Sequence, residues 1–325
     1  MRDLRVYNNS FEMSQGVSVA TAYSLGLVKG WNEELAAEAF KIVGSNPRIL
    51  KKLPLQMISN AAGRKAFLYE ITRKLLGQDT KNYPQQVGDC VSFGAKNAVE
   101  YLICCEKLMK GDREKFRPIF PPYLYGTGRV YVGGNRINGD GSLGSWMAEA
   151  VIKYGVIPAD EPGVPNYSGS IARNWGSSRS ALDKWKSLGQ QHPVKSAAQI
   201  RSWSELVAAI VNGYPCTVAS NQGFNMEPSS DGFHRASGSW AHQMTIIGAD
   251  DEHAEPYALI LNSWGDVHGH LTAFGSNQPL PVGVLRVKRA TIERMINAGE
   301  TFAFSSFDGF PEQELDEALF KIVGK

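Results

Sequence analysis

Cys90, His242 and Asn262 stand in that order along the chain, each beside an apolar run. A thiol, an imidazole and a side-chain amide are the parts needed for nucleophilic acyl transfer. Cys90 lies in QQVGDCVSFG, where a polar, turn-rich stretch gives way to a helical pattern. A thiol that opens a helix faces unpaired N–H groups and the positive end of the macrodipole, which favours the thiolate. The Cys90 N–H and an amide from the preceding loop, Gln85 or Gln86, would converge on one point and form an oxyanion hole.

The other two residues sit in HQMTIIGADDEHAEPYALILNSWG, two apolar runs around the polar stretch DDEHAE. If the runs pair as an antiparallel hairpin centred near Glu252, directly opposed residues have numbers summing to 504, so His242 faces Asn262. Opposed Cβ atoms lie roughly 4.5–5.5 Å apart. The amide could then bind the imidazole and fix its tautomer.

The elements that must position these residues follow from periodicity. Residues 1–80 read as mostly helical: WNEELAAEAFKIVG stops at Gly44 and RKAFLYEITRKLLG at Gly77. CVSFGAKNAVEYLICCEKLMKG continues helically from Cys90, with Ala95, Ala98, Val99, Leu102 and Cys105 on one face. FRPIFPPYLYGTGRVYVGGNRINGDGS reads as irregular loop, SWMAEAVIKYG as a helix closed by Gly155, and 195–212 as helix again. YPCTVAS, HQMTIIGAD, YALILNSW and VGVLRVKR then read as strands. The division is an N-terminal helical extension at 1–80, a helical lobe at 81–194, a β lobe at 195–305 and a tail or helix at 306–325. The pentapeptide FKIVG at 40–44 recurs at 320–324, which is not a repeat architecture.

On these motifs the sequence resembles the papain-like (C1-like) cysteine peptidases, in a divergent bacterial or phage-type version, over roughly residues 83–290. QQVGDCVSFG is similar to the family's nucleophile block, NGDGSLGSWMAEAVIKYGVI to its Gly-rich substrate loop and following helix, SWAHQMTIIGAD to its His strand, and LILNSWG to its Asn-Ser-Trp-Gly block. The His and Asn lie 152 and 172 residues after the Cys, in the family's order and at roughly its spacing of about 130–150. The resemblance implies an α+β, two-lobed papain-like fold with Cys90 as nucleophile, His242 as base and Asn262 as its orienter. It implies Trp264 as a shield over their hydrogen bond, and Asp140, Gly141, Ser142 and Ala241 along the substrate. It needs no cofactor or metal. The chain departs from the family pattern at Pro84, which stands at the family's oxyanion Gln, so Gln85, or failing it Gln86, is expected to serve. It departs again at Val91, at Val87 in place of a disulfide Cys, and at His268-Gly269 in place of a second Trp-Gly.

Composition narrows the rest. Lys+Arg 34 against Asp+Glu 32 is too balanced to predict nucleic acid or an acidic membrane as partner. Cys104, Cys105 and Cys216, with Cys90, form no disulfide framework; Cys216 reads as core, as does Cys104 or Cys105, with Cys105 on the apolar helix face. His268 and His270 form an H-x-H with no Cys nearby in sequence, and metal is not expected there. Asp250, Asp251 and Glu252 read as a solvated turn. No signal peptide or spanning run is visible, so an intracellular or virion-associated protein is expected. The function expected is peptide-bond hydrolysis on a peptide or protein substrate through an acyl-enzyme. Two alternatives stand beside it: a peptidoglycan amide hydrolase, and a non-catalytic protein within a larger assembly such as a phage particle. Residues 1–80 are expected either to inhibit across the cleft or to be a permanent structural addition.

Overall fold

The computed structural model describes residues 25–110, 115–192, 194–313 and 315. The expected tail helix at 306–325 falls mostly outside them. Helix α1, Glu33–Val43, starts at Asn32, whose side chain accepts the Leu35 N–H at 2.8 Å, and it buries Ala36, Ala39 and Val43 on one stripe. Strand β1, Ile49–Leu50, helix α2, Leu55–Ala61, strand β2, Lys65–Phe67, and helix α3, Leu68–Leu76, follow. Gly77 closes α3 with φ 72°, a left-handed cap that glycine adopts without strain. The extension expected to be mostly helical therefore also holds two strands, one of them cut from the front of the RKAFLYEITRKLLG pattern.

Helix α4, Cys90–Lys110, opens at Cys90. Its Lys96–Glu100 ion pair is 1% exposed on both sides, and Lys96 also donates to the Lys81 carbonyl at 2.8 Å, tying the preceding linker down. The stretch after it was expected to be loop. It instead forms α5, Pro121–Gly126, running on into a π-helical turn at Thr127–Val132. Two prolines open α5, where their missing N–H groups cost nothing. Its glycines serve close packing: a Cβ on Gly126 would meet Leu182 at 2.5 Å, and one on Gly128 would meet Met147 at 1.6 Å.

Helix α6, Gly144–Lys153, comes next, then the short helices α7, Gly169–Trp175, α8, Arg179–Asp183, and α9, Lys186–Gly189. The expected helix at 195–212 divides into β3, Ser196–Gln199, and α10, Trp203–Val211, because Ser202 caps the new helix. The remaining elements are β4, Cys216–Phe224, β5, Ala236–Asp250, β6, Tyr257–Leu261, β7, Val284–Lys288, α11, Arg289–Asn297, and β8, Glu300–Ser305. The four expected strands are β4 to β7. Helix α11 and β8 had not been anticipated.

One sheet runs in the order β1-β3-β8-β4-β5-β6-β7, with β2 added on β5. Among the pairings of these described strands only β1–β3 is parallel. β4 pairs with β5 up to Ile246, and β2 takes the edge beyond it, at Gly248, Ala249 and Asp250. The extension thus completes the sheet at two places. The turn after β5 grips it as well. Asp251 accepts from the Trp203 indole at 2.6 Å and from the Gly63 N–H at 3.0 Å, and Asp250 is buried. Of the acidic turn expected to be solvated, only Glu252 is exposed, pairing with Lys65 at 2.8 Å. Cys104, Cys105 and Cys216 are buried and free, as expected of core residues. Among the described residues no helix is long and apolar enough to cross a membrane.

This integration has a thermodynamic consequence. Met57 on α2 is fully buried, and α2 lies against α10. Met57→Ala should cost about 2–5 kcal/mol, lowering the midpoint of one cooperative thermal transition in calorimetry. A separate early transition would instead mean that the extension melts on its own.

Candidate active site

β5 and α4 meet at a tight seam. The Gln243 N–H donates to Cys90 Sγ at 3.2 Å, its side-chain amide donates to the Val91 carbonyl at 3.0 Å, and Thr245 donates to the Gly94 carbonyl at 2.9 Å. Glycine is needed at 94 because a Cβ there would stand 2.9 Å from the Gln243 amide. The thiol is thus pinned at the first residue of its helix, beside the strand position that follows His242.

His242 Nε2 lies 2.8 Å from Asn262 Oδ1, so the expected pair is brought together. The register that achieves it is not the expected one. Paired residues of β5 and β6 sum to 506 at Thr245↔Leu261 and Ile246↔Ile260, and to 507 beyond, with an irregularity between Ile246 and Gly248. His242 is therefore diagonal to Asn262 rather than opposite it, and the contact is made because a diagonal neighbour is still within reach of a long side chain. Asn262 sits just past β6. Its N–H donates to the Gly283 carbonyl at 3.0 Å and its carbonyl accepts from Asn82 at 2.7 Å. Trp264 lies over the imidazole with ring centroids 4.6 Å apart and is 5% exposed, a placement that keeps water from the His–Asn bond.

The two candidate glutamines point opposite ways. Gln85 is buried, its amide donating to the Val87 carbonyl at 2.9 Å and accepting from the Ser263 hydroxyl. Gln86 is exposed, and its side chain accepts the Gly169 N–H at 3.0 Å. Tyr167 then holds the loop. Its hydroxyl accepts the Gln86 N–H at 2.8 Å and reaches the buried Asp89 carboxyl at 3.1 Å. Burial raises the Asp89 pKa, so this acid just before Cys90 tends to the neutral form. Asp89 and Tyr167 were missed from sequence, although an Asp ahead of a helix is a capping signal.

Asp140, Gly141 and Ser142 form the far wall. Arg129, buried in the π-helical turn, donates to the carbonyls of Ile137, Gly139 and Gly141 and to that of Gly176. Asp140 pairs with Arg173 at 2.9 Å. One guanidinium therefore shapes the whole loop. Arg129 had gone unnoticed because it lay in the stretch taken for irregular loop.

The chain's own residues 25–28 lie along this wall. The Leu27 N–H donates to the Ala241 carbonyl at 3.1 Å, the Ser142 N–H to the Gly26 carbonyl at 3.1 Å, and the Val28 N–H to the Ser142 carbonyl at 3.0 Å. A Cβ on Gly26 would stand 2.4 Å from the Cys90 nitrogen and 2.6 Å from Sγ. The thiol is fully buried as a result. Burial pushes the Cys90 pKa up, against the smaller opposing pull of the Gln243, Gly26 and Val91 N–H groups. It also pushes His242 down to about 4, the Asn262 bond only partly offsetting it. The thiolate expected at the helix start is therefore disfavoured in this closed arrangement, because the cover removes the water that a charge needs. His242 Nδ1 has no hydrogen-bond partner among the described residues.

His268, the residue read as a departure, is also in the site. Its Nε2 lies 2.7 Å from Asn262 Nδ2. His270 is exposed and apart from it, near Asp266 at 3.6 Å.

No family model and no curated protein matches the sequence. Solved structures do. Xylellain, a cysteine protease from Xylella fastidiosa, is similar with a TM-score of 0.56 at 15% identity, over 80% of this chain and 92% of that one. The procathepsin B S9 of Trypanosoma congolense is similar with a TM-score of 0.53 at 11% identity, over 88% and 87%. The fold is that of the papain-like cysteine proteases.

Burial holds His268 at a pKa of about 3, against an ordinary 6.5. Below pH 6.5 the unfolded chain binds a proton there that the folded chain refuses until about pH 3. In urea titrations, the stability of the wild type relative to His268→Gln should therefore fall on acidification through this window, by up to about 1.4 kcal/mol per pH unit. A difference that stays flat from pH 7 to 4 would mean the ring titrates normally.

Proposed function

We propose that the protein is a cysteine peptidase, using Cys90, His242 and Asn262, held closed by its own residues 25–28. The observation that carries this reading is the hydrogen bond from His242 Nε2 to Asn262 Oδ1 at 2.8 Å, with the next residue's N–H on Cys90 Sγ. That bond commits Nε2 to Asn262 and leaves Nδ1 as the basic nitrogen. Once the cover lifts and water returns, Nδ1 takes the thiol proton. The sulfur then bonds to the substrate carbonyl carbon, and the displaced electron pair collects on oxygen.

The Cys90 N–H and the Gln85 amide are the proposed donors to that oxyanion, with Ser263 and Val87 orienting the amide. Losing one such donor typically costs about 2.7–4 kcal/mol in the barrier. As the tetrahedral intermediate collapses, Nδ1–H protonates the departing amine. Nδ1 next deprotonates water, which hydrolyses the thioester and restores the thiol. Substrate backbone is proposed to replace the cover on the Ser142 N–H and carbonyl and on the Ala241 carbonyl. These are the strand-like bonds by which extended peptides are commonly bound. The substrate is thus read as an extended peptide. The integrated segment from α1 to α3 is read as a permanent part of the fold, and only the strand before it as inhibitory.

The test is iodoacetamide labelling of Cys90 against pH. The wild type should label slowly at all pH values. Gly26→Ala, whose added methyl collides with Cys90, should label at least about tenfold faster, because each 1.4 kcal/mol of lost closure is tenfold. Its profile should reach down to about pH 3–4, as for a His-paired thiol, and His242→Ala in that background should move it to about 8.5. Peptide hydrolysis should appear with the uncovered thiol, on casein rather than on peptidoglycan. An uncovered Cys90 that titrates near 8.5 with or without His242 would leave only a binding protein.

A further inference from the structure

The donors and acceptors around Asn262 are set by one backbone group, the Ser263 N–H, and those of the neighbouring His234 by another, the Arg286 N–H. The Ser263 N–H can only donate, and it lies 2.7 Å from the side-chain atom of Asn262 that faces His242. That atom is therefore the oxygen, and His242 Nε2 must carry the proton it receives. The amide nitrogen then faces His268 Nε2 at 2.7 Å, so this ring nitrogen must accept and the His268 proton sits on Nδ1. At the other end, the Arg286 N–H donates to His234 Nδ1 at 3.3 Å. His234 Nε2 therefore carries a proton, donated to the His268 carbonyl at 3.1 Å. Three buried histidines are thus set in alternating tautomers by two backbone amides.

A side-chain amide is nearly symmetric in shape. Turned over, Asn262 would present N–H to His242, which would answer with an Nε2 lone pair and hold its proton on Nδ1, the nitrogen that must act as base. Ser263 opposes the turn from the oxygen side. Only His268 opposes it from the nitrogen side among the contacts described. We propose that His268 is a positioning residue: by accepting from Asn262 Nδ2 it shares with the Ser263 N–H the fixing of the amide, and through the amide the tautomer of His242. The proposal rests on the peptidase reading for its catalytic meaning, but its structural content stands without it. Burial favours the neutral acceptor throughout, holding His268 near 3 and lowering His234 as well.

The experiment is a long-range 1H–15N correlation on the full chain with labelled histidine, where six imidazoles are few enough to assign by substitution. In the wild type, His242 should appear as the Nε2–H tautomer and His268 as Nδ1–H. In His268→Phe, which keeps a ring but removes the acceptor, His242 should become a mixture. In His268→Gln, whose carbonyl can accept, it should return to Nε2–H. Asn262→Asp reads the coupling from the other side without altering His268: a carboxylate can only accept, so His268 should switch to Nε2–H. In the Gly26→Ala background, His268→Phe should lower kcat on a peptide by about 10–100-fold, the cost usual for an outer partner that orients a functional histidine. KM should be nearly unchanged, and His268→Gln should recover the rate. An unchanged His242 tautomer in His268→Phe, or a His268 that stays Nδ1–H in Asn262→Asp, overturns the proposal. Tautomer shifts as described, with no peptide hydrolysis in any variant, would retain it and discard the peptidase reading.

Discussion

The seam between α4 and β5 is the constraint on which the site depends. A helix start and a strand are locked by three bonds within five residues of each, from Gln243 and Thr245 to Cys90, Val91 and Gly94. That lock sets where the sulfur stands relative to the imidazole, because His242 is the residue before Gln243. It also explains why β5 is so long. Its first half carries Ala241, His242 and Gln243 to the cleft, and its second half, after the irregularity at Ile246–Gly248, anchors β6 and β2. Moving the strand by one residue would turn His242 to the other face. The packing of the sheet and the placement of the histidine are therefore one problem with one solution.

The N-terminal extension divides by the same logic. From α1 onward its backbone groups are spent within the sheet and its apolar residues within the core. Before α1 the tertiary backbone–backbone bonds described are those with Ser142 and Ala241, and the Trp31 carbonyl also accepts from the Asn221 side chain at 3.4 Å. One anchor joins the two parts. The Trp31 indole donates at 2.8 Å to Glu300, a buried carboxylate that also accepts the Gly144 and Ser145 N–H groups at the start of α6. A carboxylate at a helix N-terminus is favoured by the dipole as well as by these bonds. The cover is thus tethered close to the cleft even when its three strand bonds are broken. Reclosing is then an intramolecular step at high effective concentration.

Much of this was legible in the sequence. The helix at Cys90 and the four strands from 216 to 288 carried clean periodicity, and the types of Cys90, His242 and Asn262 with their order were enough to place them in one site. The exact pairing was not legible: the turn is centred beyond Glu252, so paired numbers next to it sum to 507 rather than 504, and one irregularity in β5 lowers the sum to 506 further along, neither of which leaves a mark in residue type. Loop composition misled at 116–132, where glycine and proline serve close contacts and a helix start rather than turns. The strand at 196–199 was hidden because SAAQ is also good helix sequence, and only Ser202 signals the break. A segment across the cleft was one of the two expectations for residues 1–80, but which residues would form it was not legible. Leu25, Gly26 and Leu27 have no special chemistry, and nothing in their types says which distant backbone they will pair with.

The closed site is electrically quiet, and that follows from burial rather than from any missing part. Removing water raises Cys90 and lowers His242, so both favour their neutral forms. Charging the pair inside the closed site would place a thiolate and an imidazolium in a medium that solvates neither well, and only their mutual attraction would offset the loss. A substrate peptide would also exclude water, yet it differs from the cover in one respect: it presents a carbonyl carbon to the sulfur. The cover presents Gly26 instead, close against both the sulfur and the Cys90 nitrogen. A residue without a side chain is what allows that approach, so the same atom spacing that silences the thiol is the spacing most easily undone by a single added methyl.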